Sequence, residues 1–387
     1  MKRKLFFYFL FLLCLKCDLS ICYINKHTFL ETEDNFFERH ERSIKRAELI
    51  SYGSVMMGTE FYVEFDKKYV LDNLFGYISL QTCLKFNKKT SKIRGKGINF
   101  LISSKNKISF PKHHNEPTNI YLKQSNFDNI RSLTYHVGLA LGLIPEIQRA
   151  DRDNYVNIIW QNTTSKSKPY FKNLKRSPPS THFDYGSIML VSPMYGGVNG
   201  QITYRTNLYP YYDSLVYKRS GFSHYNFKTL SNKYCRNRCP QLVCQNGGFP
   251  SPNCKKCICN YFFTGNLCEN ILTYQSKRCG SSQYYNASST IQYLNSSSIQ
   301  GPCYYWISSQ NSRNVKITVE KVNFNELVTC TSDKGLFIYY RSDMGVTPLC
   351  IFNNITKFTL PAVSNKIYII FYGSGLYNSF NISYQSI

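Results

Sequence analysis

The sequence predicts an α+β domain, then a small disulfide-rich module, then an all-β sandwich. Three observations carry this. Of 15 cysteines, 11 lie from Cys235 onward, six of them between Cys239 and Cys268. So small a unit needs such staples to hold a fold. After Cys279 the chain is rich in Tyr, Ile, Val and Phe and alternates over short runs, VKITVEKV from Val315, LFIYY from Leu336 and KIYIIFYG from Lys366. Regular short strands between polar turns argue a sandwich. Upstream, the alternating run from Phe61, a helical stretch, short strands and a helix ending at Gly142 mix the two periods.

Taken in order, Met1-Lys2-Arg3-Lys4 and the apolar run Leu5 to Leu15 have the form of a secretory signal peptide, assigned to 1–22. The run is too short to span a membrane, and no later segment reaches the needed length. A secreted, extracellular protein is expected. Cys14, Cys17 and Cys22 belong to the signal or its junction, which leaves 12 cysteines for disulfides of an oxidising compartment. A zinc knuckle at Cys254-Lys-Lys-Cys257 lacks a second matching pair. Sequons at Asn162, Asn286, Asn295, Asn354 and Asn381 are candidate glycosylation sites.

A polar pro-segment, 23–46, ends in Arg42-Ser43-Ile44-Lys45-Arg46, a dibasic processing site that would leave Ala47 as the amino terminus. Strands are expected at Ile98–Ile102 and Ile108–Phe110. A helix is expected from Ser125 to Gly142, capped by Asn126, Asp128 or Asn129, with Leu133, Val137, Ala140 and Leu141 on its apolar side. The net charge is +24, and two denser basic clusters, Lys88 to Lys96 and Lys166 to Arg176, read as solvated loops. A basic field attracts anionic glycans or membrane surfaces. Nucleic acid is excluded for an exported chain without a recognition motif.

The stretch TYHVGLALGLIPEIQRADRDNYVNI, Thr134 to Ile158, organises the rest. It resembles the region following the zinc helix of astacin metallopeptidases, H-E-x-x-H-x-x-G-x-x-H-E-x-x-R-x-D-R-D. Aligning Arg149, Asp151, Arg152 and Asp153 with the end of that pattern puts Gly142 on the family glycine and Glu146 on the second glutamate. The three ligand positions then hold Tyr135, Leu139 and Pro145, and the general-base position holds His136. A catalytic zinc needs three protein ligands and an open position for water. Leu139 and Pro145 have no lone pair to offer, and a tyrosine is a poor ligand. No other H-E-x-x-H occurs, since His40-Glu41 leads to Ile44. The resemblance therefore implies a zincin-like (metzincin) fold over 47–235 whose family cofactor, zinc, has lost its ligands. No catalytic residue, metal site or cofactor is predicted, and side chains are expected to fill the emptied pocket.

Further matches support the register. Thr82-Cys83-Leu84-Lys85-Phe86 resembles the end of the first long astacin helix. Tyr185-Gly186-Ser187-Ile188-Met189 resembles the Met-turn, with Met189 kept and the family's oxyanion tyrosine replaced by Val191. In the family the processed amino terminus pairs with the second glutamate, so an Ala47–Glu146 ion pair is expected. Cys83 and Cys235 are the only cysteines between Ala47 and the domain end and are paired; the family's second internal disulfide has no counterpart, with Ser103-Ser104 near one half. Residues 236–270 resemble an EGF-like module, which among 15 possible connectivities implies Cys239–Cys254, Cys244–Cys257 and Cys259–Cys268. Residues 279–387 resemble a CUB domain, which implies Cys279–Cys303 and Cys330–Cys350. Arg341 after Ile338-Tyr339-Tyr340 gives no calcium site.

Two functions follow. The first is a secreted pseudo-protease that binds an extracellular protein or anionic glycan on an astacin scaffold. The second is an active zinc metalloendopeptidase cleaving extracellular proteins, which the missing histidines oppose. Fold alone does not restore activity.

Overall fold

The computed structural model describes residues 59–64, 68–113, 115–174, 181–213, 215–273, 279–298, 300–324, 330, 334–352, 354–374 and 378–387. The expected signal, pro-segment and Ala47 lie outside them. The N-terminal domain opens with β1 (Thr59–Val63), α1 (Lys68–Gln81), β2 (Phe86–Lys89), β3 (Ile98–Ile102), β4 (Lys107–Ser109) and β5 (Thr118–Leu122). These strands form one sheet in the order β2-β1-β3-β5-β4, with only β4 antiparallel to its neighbour. Leu71, Leu74, Phe75 and Ile78 recur at helical spacing on α1 and are buried. The Phe75 ring lies 4.5 Å from Phe61 and 4.4 Å from Phe86, which seats α1 on the sheet. Lys88 and Lys89, expected in a loop, stand on the edge strand β2 and pair with Asp72 and Glu60.

The single helix expected from Ser125 is two: α2 (Gln124–Phe127) and α3 (Ile130–Ala140). Asn129 breaks them. Its backbone is extended, and its side chain accepts from the amides of Arg131 and Ser132, which starts a new helix. At the other end Gly142 has φ +74, and the amides of Gly142 and Leu143 donate to the carbonyls of Leu139 and Gly138, each at 2.9 Å. This closure needs a residue free to adopt a left-handed backbone, hence the glycine.

Beyond α3 the chain is mostly irregular, with β6 (Val156–Ile158) against β7 (Tyr204–Thr206), and ends in α4 (His224–Tyr234). Ser223 and Asn226 cap α4 reciprocally. From its far end, Lys233 and Tyr234 donate to the Gly142 and Leu141 carbonyls, satisfying the last acceptors of α3. A disulfide joins Cys83 to Cys235, tying the ends of α1 and α4 together.

The small module has two hairpins, β8 (Phe249–Pro250) with β9 (Cys257–Ile258) and β10 (Phe263–Thr264) with β11 (Asn270–Ile271). Its bonds are Cys239–Cys254, Cys244–Cys257 and Cys259–Cys268. The C-terminal region is a sandwich of β12 (Tyr284–Ala287), β14 (Gln300–Ser309), β19 (Lys366–Ser374), β16 (Gly335–Tyr339) and β17 (Leu349–Ile351) facing β13 (Gln292–Ser297), β20 (Ser379–Ser386), β15 (Val315–Asn323) and β18 (Ile355–Thr359). It carries Cys279–Cys303 and Cys330–Cys350. Ile367 to Phe371 on β19 are all buried. Alternate side chains of a strand face opposite ways. Ile367, Ile369 and Phe371 enter the main core, while Tyr368 and Ile370 pack with Phe262 and Phe263 of the small module. That module covers the outer face of the five-stranded sheet, so this strand alternates apolar with apolar.

Candidate functional site

The α3 pocket is built from aromatic and aliphatic side chains. Tyr135 and Leu139 stand four apart on α3 and are 6% and 2% exposed. The Tyr135 hydroxyl lies 3.1 Å from that of Tyr170, a residue with no exposed surface. Tyr170 packs edge-on against Tyr195, ring centroids 4.9 Å apart, and against Phe171. Pro145 is buried at the start of the turn containing Glu146. Met189 lies beneath α3: a Cβ at Gly138 would stand 2.6 Å from its sulfur. The methionine therefore packs directly on the helix as apolar filling.

His136, at the general-base position, is 2% exposed, and its Nδ1 lies 2.7 Å from the Ser132 carbonyl one turn back. A carbonyl only accepts, so Nδ1 carries the proton. Burial pushes its pKa down to about 4, which keeps the ring neutral. Val191 is buried, and its carbonyl accepts from the Tyr204 hydroxyl. These residues do not fit a zinc ion. One imidazole is committed to its own helix, two ligand positions are hydrocarbon, and the third is a tyrosine hydroxyl paired with another. Among the described residues no group of three His, Cys, Asp or Glu is placed to hold a metal.

The retained motif is a framework of buried charge. Arg149 grips Asp151 through two bonds of 2.9 Å and donates to Thr181. Arg152 donates to the Ile147 and Phe171 carbonyls and to Asp153. Such bidentate and carbonyl contacts fix backbone that has no regular ladder of its own. Glu146 is 6% exposed; its Oε2 lies 3.5 Å from Arg149 Nε and has no hydrogen-bond partner among the described residues. Burial pushes its pKa up to about 8 against the pull of Arg149.

Sequence reasoning missed three residues. Tyr170 sits in the basic cluster from Lys166, expected to be a solvated loop. Lys166, Lys168 and Lys172 do point to solvent, but Tyr170, Phe171 and Leu174 are buried. The Tyr-Phe pair inside that charge run was the available signal. Asp184, fully buried, accepts from Gly186, Ser223 and, across to the sandwich, Thr347. Arg341, weighed only against calcium binding, is buried over the Tyr155 ring at 4.8 Å and donates to the Phe183 carbonyl. Of the sequons, Asn286, Asn295 and Asn354 are exposed, whereas the Asn162 amide donates to Ile202 and Asn381 is half-buried in β20.

The α+β sheet, the helix closed at Gly142 and the methionine turn beneath it define a zincin-like domain. Residues 52–235 match the Astacin peptidase family, and this part of the chain belongs to it. The chain is 32% identical over 208 residues to "Zinc metalloproteinase dpy-31" of Brugia malayi, covering 51% of this chain and 34% of that protein. It is 30% identical over 210 residues to "Zinc metalloproteinase nas-34" of Caenorhabditis elegans, covering 53% and 34%. The chain thus spans about a third of the length of these curated relatives. Among solved structures it resembles the hatching enzyme zinc-protease High choriolytic enzyme 1 of Oryzias latipes, with TM-score 0.39 and 17% identity, over 45% of this chain and 88% of that one.

Proposed function

We propose that this chain is a secreted pseudo-protease, an astacin scaffold without peptidase activity that holds an extracellular protein or glycan partner. The observation carrying this reading is the Tyr135–Tyr170 hydroxyl pair, which occupies the place where an astacin zinc would take its first ligand. Leu139, Pro145 and the neutral His136 supply neither ligand nor general base. Six disulfides suit an oxidising compartment, and no helix among the described residues is long and apolar enough to cross a membrane. On this reading residues 236–270 are EGF-like and 279–387 CUB-like, and they carry the binding surfaces. The test is elemental analysis of purified mature protein alongside a peptidase assay on a denatured protein substrate. Substoichiometric zinc and no cleavage are expected; stoichiometric zinc with cleavage restores the peptidase reading.

A further inference from the structure

A cleft of ≈ 800 Å3 opens where the three modules meet, apart from the filled α3 pocket. His182 and Lys228 come from the N-terminal domain, Gln245 and Asn246 from the small module, and Asn314 and Lys366 from the sandwich. Its walls are locked together. Lys228 Nζ lies 2.6 Å from Asp343, with both side chains largely buried. Gly247 has φ +77, and a Cβ there would stand 1.9 Å from the Gly345 amide nitrogen, so two loop backbones meet with no room for a side chain. Asn260 donates to the Met344 carbonyl at 2.8 Å, and His224 Nε2 lies 3.0 Å from the Gly247 carbonyl. The cleft is a fixed concavity.

Its chemistry is amide and hydroxyl, with a little charge. Ser312, Ser342, Ser364 and Asn365 add to the amides already named, and Val363 supplies an apolar spot. Asp343 neutralises Lys228. Lys366 is exposed, has no carboxylate partner among the described residues, and sits 6.0 Å from the Trp306 ring centroid. An acidic peptide would require several unneutralised cations along the wall. A saccharide presents hydroxyls that amides read in pairs, apolar ring faces, and an occasional acidic substituent.

We propose that this three-module cleft binds an acidic oligosaccharide, with Gln245 and Asn314 taking its hydroxyls and Lys366 its sulfate or carboxylate. The proposal rests on the binding-protein reading and names the partner class. The experiment is calorimetric titration of the full mature chain at physiological salt with a heparin-derived hexasaccharide, its desulfated counterpart and hexaglutamate. Lys366→Ala, and separately Gln245→Ala/Asn314→Ala, should weaken the sulfated hexasaccharide by roughly tenfold each. Lys92→Ala/Arg94→Ala, on the distant basic loop, should change nothing. The desulfated sugar should bind more weakly and be indifferent to Lys366→Ala. All substituted side chains are exposed, and unchanged melting curves confirm folding. Absence of saccharide binding overturns the proposal, as does an equal loss from the Lys92/Arg94 variant, which marks the general basic field. Hexaglutamate binding as tightly as the sugar also overturns it, in favour of an acidic peptide. A peptidase-active, zinc-loaded protein would instead remove the pseudo-protease reading, whatever the titration gives.

Discussion

The hydroxyls of Tyr135 and Tyr170 lie 3.1 Å apart inside the domain, where an astacin would hold its metal. Tyr135 comes from α3 and Tyr170 from the basic segment 35 residues later, so the pair joins two stretches with no shared secondary structure. A vacated polar pocket has thus become packed core.

Tyr170 should behave as a core residue. Tyr170→Ala is expected to cost ~3–5 kcal/mol, as for other large aromatic truncations. Tyr170→Phe keeps the ring and should cost only ~1 kcal/mol, the usual value of one hydrogen bond. Urea unfolding of both variants measures this; equal, small losses would mean the pocket is loosely filled.

Glu146 gives the fold a pH dependence with a definite sign. Its folded pKa is about 8 against an ordinary 4.5, so the folded state binds the proton more tightly. The associated stability is fully present below pH 4.5 and is lost as pH rises through about 8. Glu146→Gln should flatten that part of the curve. An ammonium at a processed Ala47, if it pairs here, would lower the pKa and raise stability near neutral pH. Melting temperatures from about pH 4.5 to about pH 8.5, a range that brackets both values, for chains starting before and at Ala47, with and without the substitution, separate the two.

Arg341 holds the sandwich to the N-terminal domain. Arg341→Ala removes a charged donor to the Phe183 carbonyl and a contact over Tyr155, and is expected to cost ~2–3 kcal/mol. Arg341→Lys should not rescue it, because an ammonium cannot lie flat on the ring while donating sideways. Chemical unfolding should show the loss, and limited proteolysis should cut between the modules faster.

The Cys83–Cys235 bond closes a loop with a sequence separation of 152. Replacing both by alanine should cost ~5 kcal/mol, chiefly by freeing the unfolded chain. The expected readout is a domain that unfolds well below the parent in guanidinium; an unchanged midpoint would place the restraint elsewhere.

Much of this protein is local and could be read as letters. Cysteine order marked the modules, alternation marked the sandwich strands, and Gly142 marked the helix end because few other residues accept its backbone. The identities at 135, 136, 139 and 145 removed the zinc chemistry by valence alone. What only the folded chain decided depends on contacts distant in sequence. A tyrosine inside a lysine-rich run points inward because a pocket on another element is there to receive it. Arg341 is buried because the Phe183 carbonyl and the Tyr155 ring meet it across a module boundary. The cleft likewise exists only where three modules dock, since its walls come from segments that share no pattern in the sequence.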